Sequence, residues 1–187
     1  SYLGWGTRFF DFDLDGDLDL FAANGHVYPQ VDETSAGSRY GQRNQLFAND
    51  GDGVFSALDG GPGFAVEKSS RGTITGDYDD DGDLDLLISN IDDSPTLLRN
   101  DGMKENVLVV QLEDNTGANL EALGAKVRLT VSGRTQVRTV NGAAGYLGHN
   151  DARHYFGLGA ASRVERVEVV SQLVLAVPLG PFLSRTN

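Results

Sequence analysis

Two nine-residue segments in this chain read almost alike: Asp11-Phe-Asp13-Leu-Asp15-Gly16-Asp17-Leu-Asp19 and Asp77-Tyr-Asp79-Asp-Asp81-Gly82-Asp83-Leu-Asp85. Each sets carboxylates at positions 1, 3, 5 and 9 and glycine at position 6. Four carboxylates so close repel one another, and a hard divalent cation converts that repulsion into coordination. Oxygen ligands of this number and charge suit Ca²⁺, which accepts six to eight of them at flexible angles. The main-chain carbonyls of Asp17 and Asp83, at position 7, add a further ligand to each set, and Gly16 and Gly82 permit the sharp turn that points successive oxygens inward. The competing reading is a solvated acidic turn. Two copies in register weigh against it.

The residues after each loop decide its type. A helix-loop-helix calcium hand requires Glu at position 12 and an amphipathic helix beyond it. Position 12 here is Ala22 in one copy and Ile88 in the other. Leu18 to Asn24 and Leu84 to Asn90 are short apolar runs ending at Asn, so they read as strands. Thr7-Arg-Phe-Phe10 and Thr73-Ile-Thr-Gly76 before the loops also look extended. Each loop is therefore expected to join two strands of a hairpin.

The repetition continues past the loops. Leu46-Phe-Ala-Asn49-Asp-Gly51 reappears as Leu97-Leu-Arg-Asn100-Asp-Gly102. The loops are 66 residues apart and these later pieces 51, so the first copy carries about 15 extra residues, placed in His26 to Gln42 and read as a long polar surface loop. Four-stranded units in tandem suggest propeller blades. The first unit is predicted to have strands near 6–11, 18–24, 44–48 and 53–57. The second has them near 71–77, 84–90 and 96–99, with no fourth strand assigned.

On these residues the chain resembles the FG-GAP/VCBS repeat: Asp-x-Asp-x-Asp-Gly-Asp-Leu-Asp-Leu, followed by Leu-Phe-x-Asn-Asp-Gly-Asp-Gly-x-Phe at Leu46 to Phe55. The resemblance covers residues 1–103. It implies an integrin-α-like propeller repeat with Ca²⁺ in each hairpin loop, two sites in all, held by Asp11, Asp13, Asp15, Asp17 and Asp19 and by Asp77, Asp79, Asp81, Asp83 and Asp85. Two such repeats are too few to close a ring of blades. The chain is thus expected to be the C-terminal piece of a longer protein, or a small derivative that closes its core through self-association or another route.

From Asn106 the acidic loops stop. Segments 107–112, 125–131, 135–140 and 163–170 alternate or run apolar as strands do. Gly and Asn punctuate them at Asn115-Thr-Gly117, Ser132-Gly133 and Asn141-Gly142. This is a small antiparallel β-domain, expected over 104–170. It resembles the ASPIC/UnbV domain through Leu123-Gly-Ala-Lys-Val127, Gly145-Tyr-Leu-Gly-His-Asn150 and His154-Tyr-Phe-Gly-Leu-Gly159. Residues 171–187 depart from that family: its Trp-Pro-x-Gly is absent, and an apolar tail, too short to span a bilayer, stands in its place. The fold class expected is all-β, two blade-like repeats followed by this β-domain.

Charge follows the same division. Of a net −12, residues 1–103 hold 20 acidic and 6 basic side chains, and residues 104–187 hold 7 and 9. The charge therefore belongs to the repeats, and it excludes nucleic acid or an anionic membrane as an obvious partner. The absence of cysteine excludes disulfides, thiolate catalysis and Cys-based zinc sites. Calcium sites of the extracellular kind bind at about 10⁻⁴–10⁻³ M. They fill outside the cell, which favours an exported protein, extracellular or in the cell envelope, recognising a protein or glycan. The enzymatic alternative is a polysaccharide hydrolase or lyase built on the 26–43 insert, with His26, Asp32 and Glu33 as acid-base residues. Asp92 and Asp93 are further acids outside the metal positions. His149 and His154 read as structural. Trp5, Tyr28, Tyr40 and Tyr146 are candidates for a sugar-stacking surface.

Overall fold

A computed structural model describes residues 1–35, 37–102, 105–113, 119–142 and 145–170. The turn at Asn115-Thr-Gly117 and the apolar tail over 171–187 lie outside the described residues. The fold is all-β and its sheets are antiparallel. The chain forms two compact units. The first comprises residues 1–12, 18–100 and 145–150, and the second comprises 13–17, 151–170 and the described part of 101–142.

In the first unit, β1 (Gly4–Phe10), β2 (Asp19–Asn24), β4 (Gln45–Asn49) and β5 (Phe55–Leu58) form a four-stranded meander in the order β1-β2-β4-β5. A short β3 (Gln42–Arg43) precedes β4 and pairs with β6 (Glu67–Lys68). β7 (Ser70–Gly76), β8 (Asp85–Asn90) and β9 (Asp93–Leu98) form a second meander of three strands. Both acidic segments join the first two strands of their meander, as the sequence predicts. Each pairing also carries a bulge at the far end, between Gly4 and Thr7 in one copy and between Ser70 and Thr73 in the other. The two sheets come close at Gly6: a Cβ there would stand 2.4 Å from the Arg71 carbonyl oxygen and 3.0 Å from the Thr73 amide nitrogen. Only glycine permits that approach.

The polar 26–42 insert is more organised than a bare surface loop. Gly25 bridges to Gly41 at its base, and the His26 amide donates to the Tyr40 carbonyl at 2.9 Å. A 3₁₀ turn at Pro29–Glu33 buries Val31. Gln42 is buried, and its Nε2 donates to the Ser1 carbonyl, Ser38 Oγ and the Arg39 carbonyl. The insert's own polar side chains thus supply the hydrogen bonds that a buried loop base requires.

In the second unit, β10 (Asn106–Val110) pairs with β13 (His154–Gly159), and β12 (Arg134–Thr139), β11 (Lys126–Val131) and β14 (Arg166–Val170) form a three-stranded sheet in that order. Alternation along β11 buries Val127, Leu129 and Val131 and leaves Lys126 and Arg128 exposed. These residues join Leu108, Val110, Leu112, Val140 and Phe156 in one core. β13 is the strand that alternation does not reveal: Tyr155, Phe156 and Gly157 are buried consecutively, so no period of two marks it.

Candidate metal centre

The two acidic loops share one backbone path. Position 4 is left-handed in both, Leu14 at φ 61° and Asp80 at φ 55°, and position 6 follows at φ 100° for Gly16 and 97° for Gly82. Two consecutive excursions to positive φ within three residues coil the chain so that alternate side chains converge. Asp77 sits at the centre of its coil and accepts from the Asp81 amide on Oδ1 and from the Gly82 amide on Oδ2, each at 3.0 Å. Asp81 Oδ1 accepts from the Asp83 amide at 3.0 Å, and Asp15 Oδ1 from the Asp17 amide at 2.8 Å.

Position 9 does a different job. Asp85 is buried, and its two oxygens accept from the Tyr78 amide (2.9 Å) and the Asn100 amide (2.8 Å). Asp19, also buried, accepts from the Phe12 amide (3.0 Å) and the Asn49 amide (2.9 Å). Each therefore ties the start of its loop to the end of the meander's third strand. The asparagine side chains add to this, Asn49 Nδ2 donating to the Leu18 carbonyl at 3.1 Å and Asn100 Nδ2 to the Phe12 carbonyl at 2.7 Å. Asn49 then closes the next turn itself, its Oδ1 accepting from Gly51 and Gly53.

Among the described residues, two groups of acidic side chains converge: Asp11 with Asp13 and Asp15, and Asp77 with Asp79 and Asp85, with one oxygen from each member within 4.8 Å of the others. Oxygens on a Ca²⁺ sphere of about 2.3–2.6 Å radius are at most about 5 Å apart, so both groups fit one. Charges at that separation repel by about 1–3 kcal/mol per pair between bulk-water and near-surface dielectric values. The strain is visible at Asp13, whose carboxyl is pushed above its ordinary range first by burial and then by the Asp15 charge. Asp17 is engaged elsewhere, its carboxylate taking both contacts from Arg134 Nη2 at 2.7 and 2.8 Å. Arg99 Nη1 lies 3.8 Å from Asp79.

The alternative catalytic residues belong to neither group. His26 Nδ1 accepts from the Tyr28 amide, and its carbonyl accepts from Ser69 Oγ and Arg71 Nη2. Asp32 Oδ1 accepts from the Tyr40 amide at 2.8 Å, closing the insert, and Glu33 is exposed at the end of the 3₁₀ turn. Asp93 pairs with Lys68 Nζ at 3.0 Å, which holds its carboxyl below the ordinary value. Trp5 packs edge-on to Tyr146 with ring centroids 5.3 Å apart. The buried Arg71 guanidinium covers the Trp5 ring at 4.4 Å, and Tyr28 is exposed. Arg71 is the buried charge that sequence reading missed, since a basic residue at a strand start gives no signal of its cation–π partner.

The arrangement defines an all-β chain with repeated acidic hairpin loops and a small C-terminal β-domain. Residues 115–170 match the family described as ASPIC and UnbV, which bears out that part of the sequence resemblance; both acidic loops lie outside the match. The chain is similar to cartilage acidic protein 1 of Mus musculus, 34% identical over 187 aligned residues that cover 94% of this chain and 26% of that protein. It is 34% identical to cartilage acidic protein 1 of Homo sapiens over 83% of this chain, and 33% identical to that of Xenopus tropicalis over 94%. The chain spans about a quarter of the length of the curated relatives it matches.

Proposed function

We propose that this chain is a calcium-binding recognition module of an extracellular protein, with Ca²⁺ structural in both hairpin loops and the FG-GAP/VCBS type of repeat as their scaffold. The observation that carries the reading is the recurrence of one backbone coil, with the same pair of positive φ angles, around each converging carboxylate group. A merely solvated acidic turn gives no reason for carboxylates to converge twice on one backbone path, with positions 1 and 3 taking part in both loops. Asp11, Asp13 and Asp15 would hold one ion and Asp77, Asp79 and Asp85 the other, with the Asp17 and Asp83 carbonyls as further donors. Bound Ca²⁺ would supply the positive charge that offsets repulsion within each group. The hairpins would then be fixed and their neighbouring loops free to present a binding face to a protein or glycan. The name cartilage acidic protein, carried by the relatives, agrees with an acidic protein of an extracellular tissue.

A ligand that binds only the folded state stabilises it by about 2.7 kcal/mol at a hundredfold excess over its dissociation constant. Chelation is therefore expected to lower the melting temperature, and Asp79→Ala to remove part of that response. A melting curve unmoved by thorough chelation would reduce the loops to acidic turns.

A further inference from the structure

We propose that residues 145–150 form a strap that closes the free edges of β1 and β7 and fastens or releases both as a single latch. β1 and β7 are the first strands of their meanders, and among the described residues each is laddered on one side only, to β2 and to β8. The other edge of such a strand presents main-chain N–H and C=O groups that need a cover. Residues 145–150 supply it. They lie inside the stretch that matches the ASPIC and UnbV family, yet they belong to the first unit. The described residues on either side of them, 119–142 and 151–170, belong to the second.

The strap touches both strands. At its start, a Cβ on Gly145 would stand 3.0 Å from the Thr7 carbonyl oxygen of β1. One residue on, the Tyr146 carbonyl oxygen lies 2.8 Å from where a Cβ on Gly72 of β7 would be. The Tyr146 ring meets the Trp5 ring edge-on at 5.3 Å, and the Arg71 guanidinium lies over that same indole at 4.4 Å. At the strap's end, buried Asn150 accepts from the Thr75 amide through Oδ1 at 3.1 Å. Trp5-Gly6 and Arg71-Gly72 hold the same place in the two repeats, 66 residues apart, inside the bulge that each pairing carries. A bulge bends its strand, and glycine in a strand admits a close backbone neighbour. The recurrent bulges thus have a task in common: they make room on both strands for the strap. Leu147, in the middle of the strap, is left-handed at φ 52°. A non-glycine residue keeps that conformation only where its surroundings impose it. The contacts of Tyr146 before it and Asn150 after it do so. Freed at one end, the strap loses what holds its path, so the fastenings give way together.

The test is hydrogen exchange and tryptophan fluorescence on the full chain, in chelator. Asn150→Ala acts at Thr75, and Tyr146→Ala acts at Trp5, the single tryptophan. A single latch makes each variant show both effects. The Thr75 amide exchanges about tenfold faster, the loss expected of one hydrogen bond, and the Trp5 emission shifts to the red. The amides of β2 and β8 keep their rates. If circular dichroism shows Asn150→Ala unfolded, the Thr75 rate in Tyr146→Ala decides alone. An unchanged Thr75 rate in Tyr146→Ala, or an unchanged Trp5 emission in folded Asn150→Ala, overturns the proposal, because the contacts are then independent. Acceleration of the β2 and β8 amides by the same factor as Thr75 overturns it too, because the whole unit is then destabilised. With calcium removed, neither outcome depends on whether the loops bind it.

Discussion

Truncating Asp85 isolates the mechanical role of position 9 from any role in metal binding. In chelator, Asp85→Ala removes a buried carboxylate that two main-chain amides share. Hydrogen bonds to a charged group contribute about 1.5–3 kcal/mol each, so the two together amount to roughly 3–6 kcal/mol. Removing one charge from the Asp77, Asp79, Asp85 group ends two pair repulsions and returns about 2–6 kcal/mol, so only the difference from a variant that loses the same repulsion reports the tether. Asp85→Asn keeps one acceptor oxygen and is expected to lose about half as much. Asp79→Ala is the control: it ends as many repulsions, and among the described residues its ion pair is the Arg99 contact at 3.8 Å, an exposed pair that contributes less than about 1 kcal/mol, so Asp85→Ala is expected to be about 3 kcal/mol less stable than Asp79→Ala. Urea unfolding in chelator, followed by the fluorescence of the single tryptophan, Trp5, gives these differences as shifts in midpoint at constant slope. If Asp85→Ala unfolds within about 0.5 kcal/mol of Asp79→Ala, the amide-tethering account of position 9 is wrong.

Three further outcomes follow from the packing. Gly6→Ala drives a Cβ into main-chain atoms of β7 and is expected to cost about 3 kcal/mol or to lower the folded yield outright, read by thermal melting. Phe156→Ala, at the centre of the second unit's core, is expected to cost about 3–5 kcal/mol in the urea transition of that unit. His26→Ala is expected to leave stability and calcium affinity nearly unchanged, because the insert is anchored through the His26 main chain. A calorimetric melting temperature several degrees lower would show that the imidazole itself holds the loop.

What the sequence made legible was periodic or repeated. The strands flanking each acidic loop were readable because apolar runs ended at Asn and the same text came twice. β11, β12 and β14 were readable from alternation. What escaped depended on contacts distant in sequence. β13 is buried on successive residues and has no alternation to read. β3 and β6 are two residues each, held by partners 24 and 26 positions away that no local pattern announces. The division of labour inside each loop was also hidden. Alternating aspartates look equivalent in sequence, yet Asp19 and Asp85 hold main-chain amides and Asp17 holds Arg134. Only the fold distinguishes a carboxylate that ties a strand from one that faces its neighbours. Gly16 and Gly82 were legible as turn residues, whereas the left-handed Leu14 beside them was not, since leucine seldom adopts that conformation.

Calcium titration by isothermal calorimetry on the metal-free chain tests the central claim most directly. The account predicts two Ca²⁺ per chain with dissociation constants in the range of about 10⁻⁴–10⁻³ M, as in extracellular modules. Asp79→Ala and Asp13→Ala should each retain one site, and the double variant none. Absence of binding heat at millimolar calcium, or binding that survives in the double variant, would contradict it.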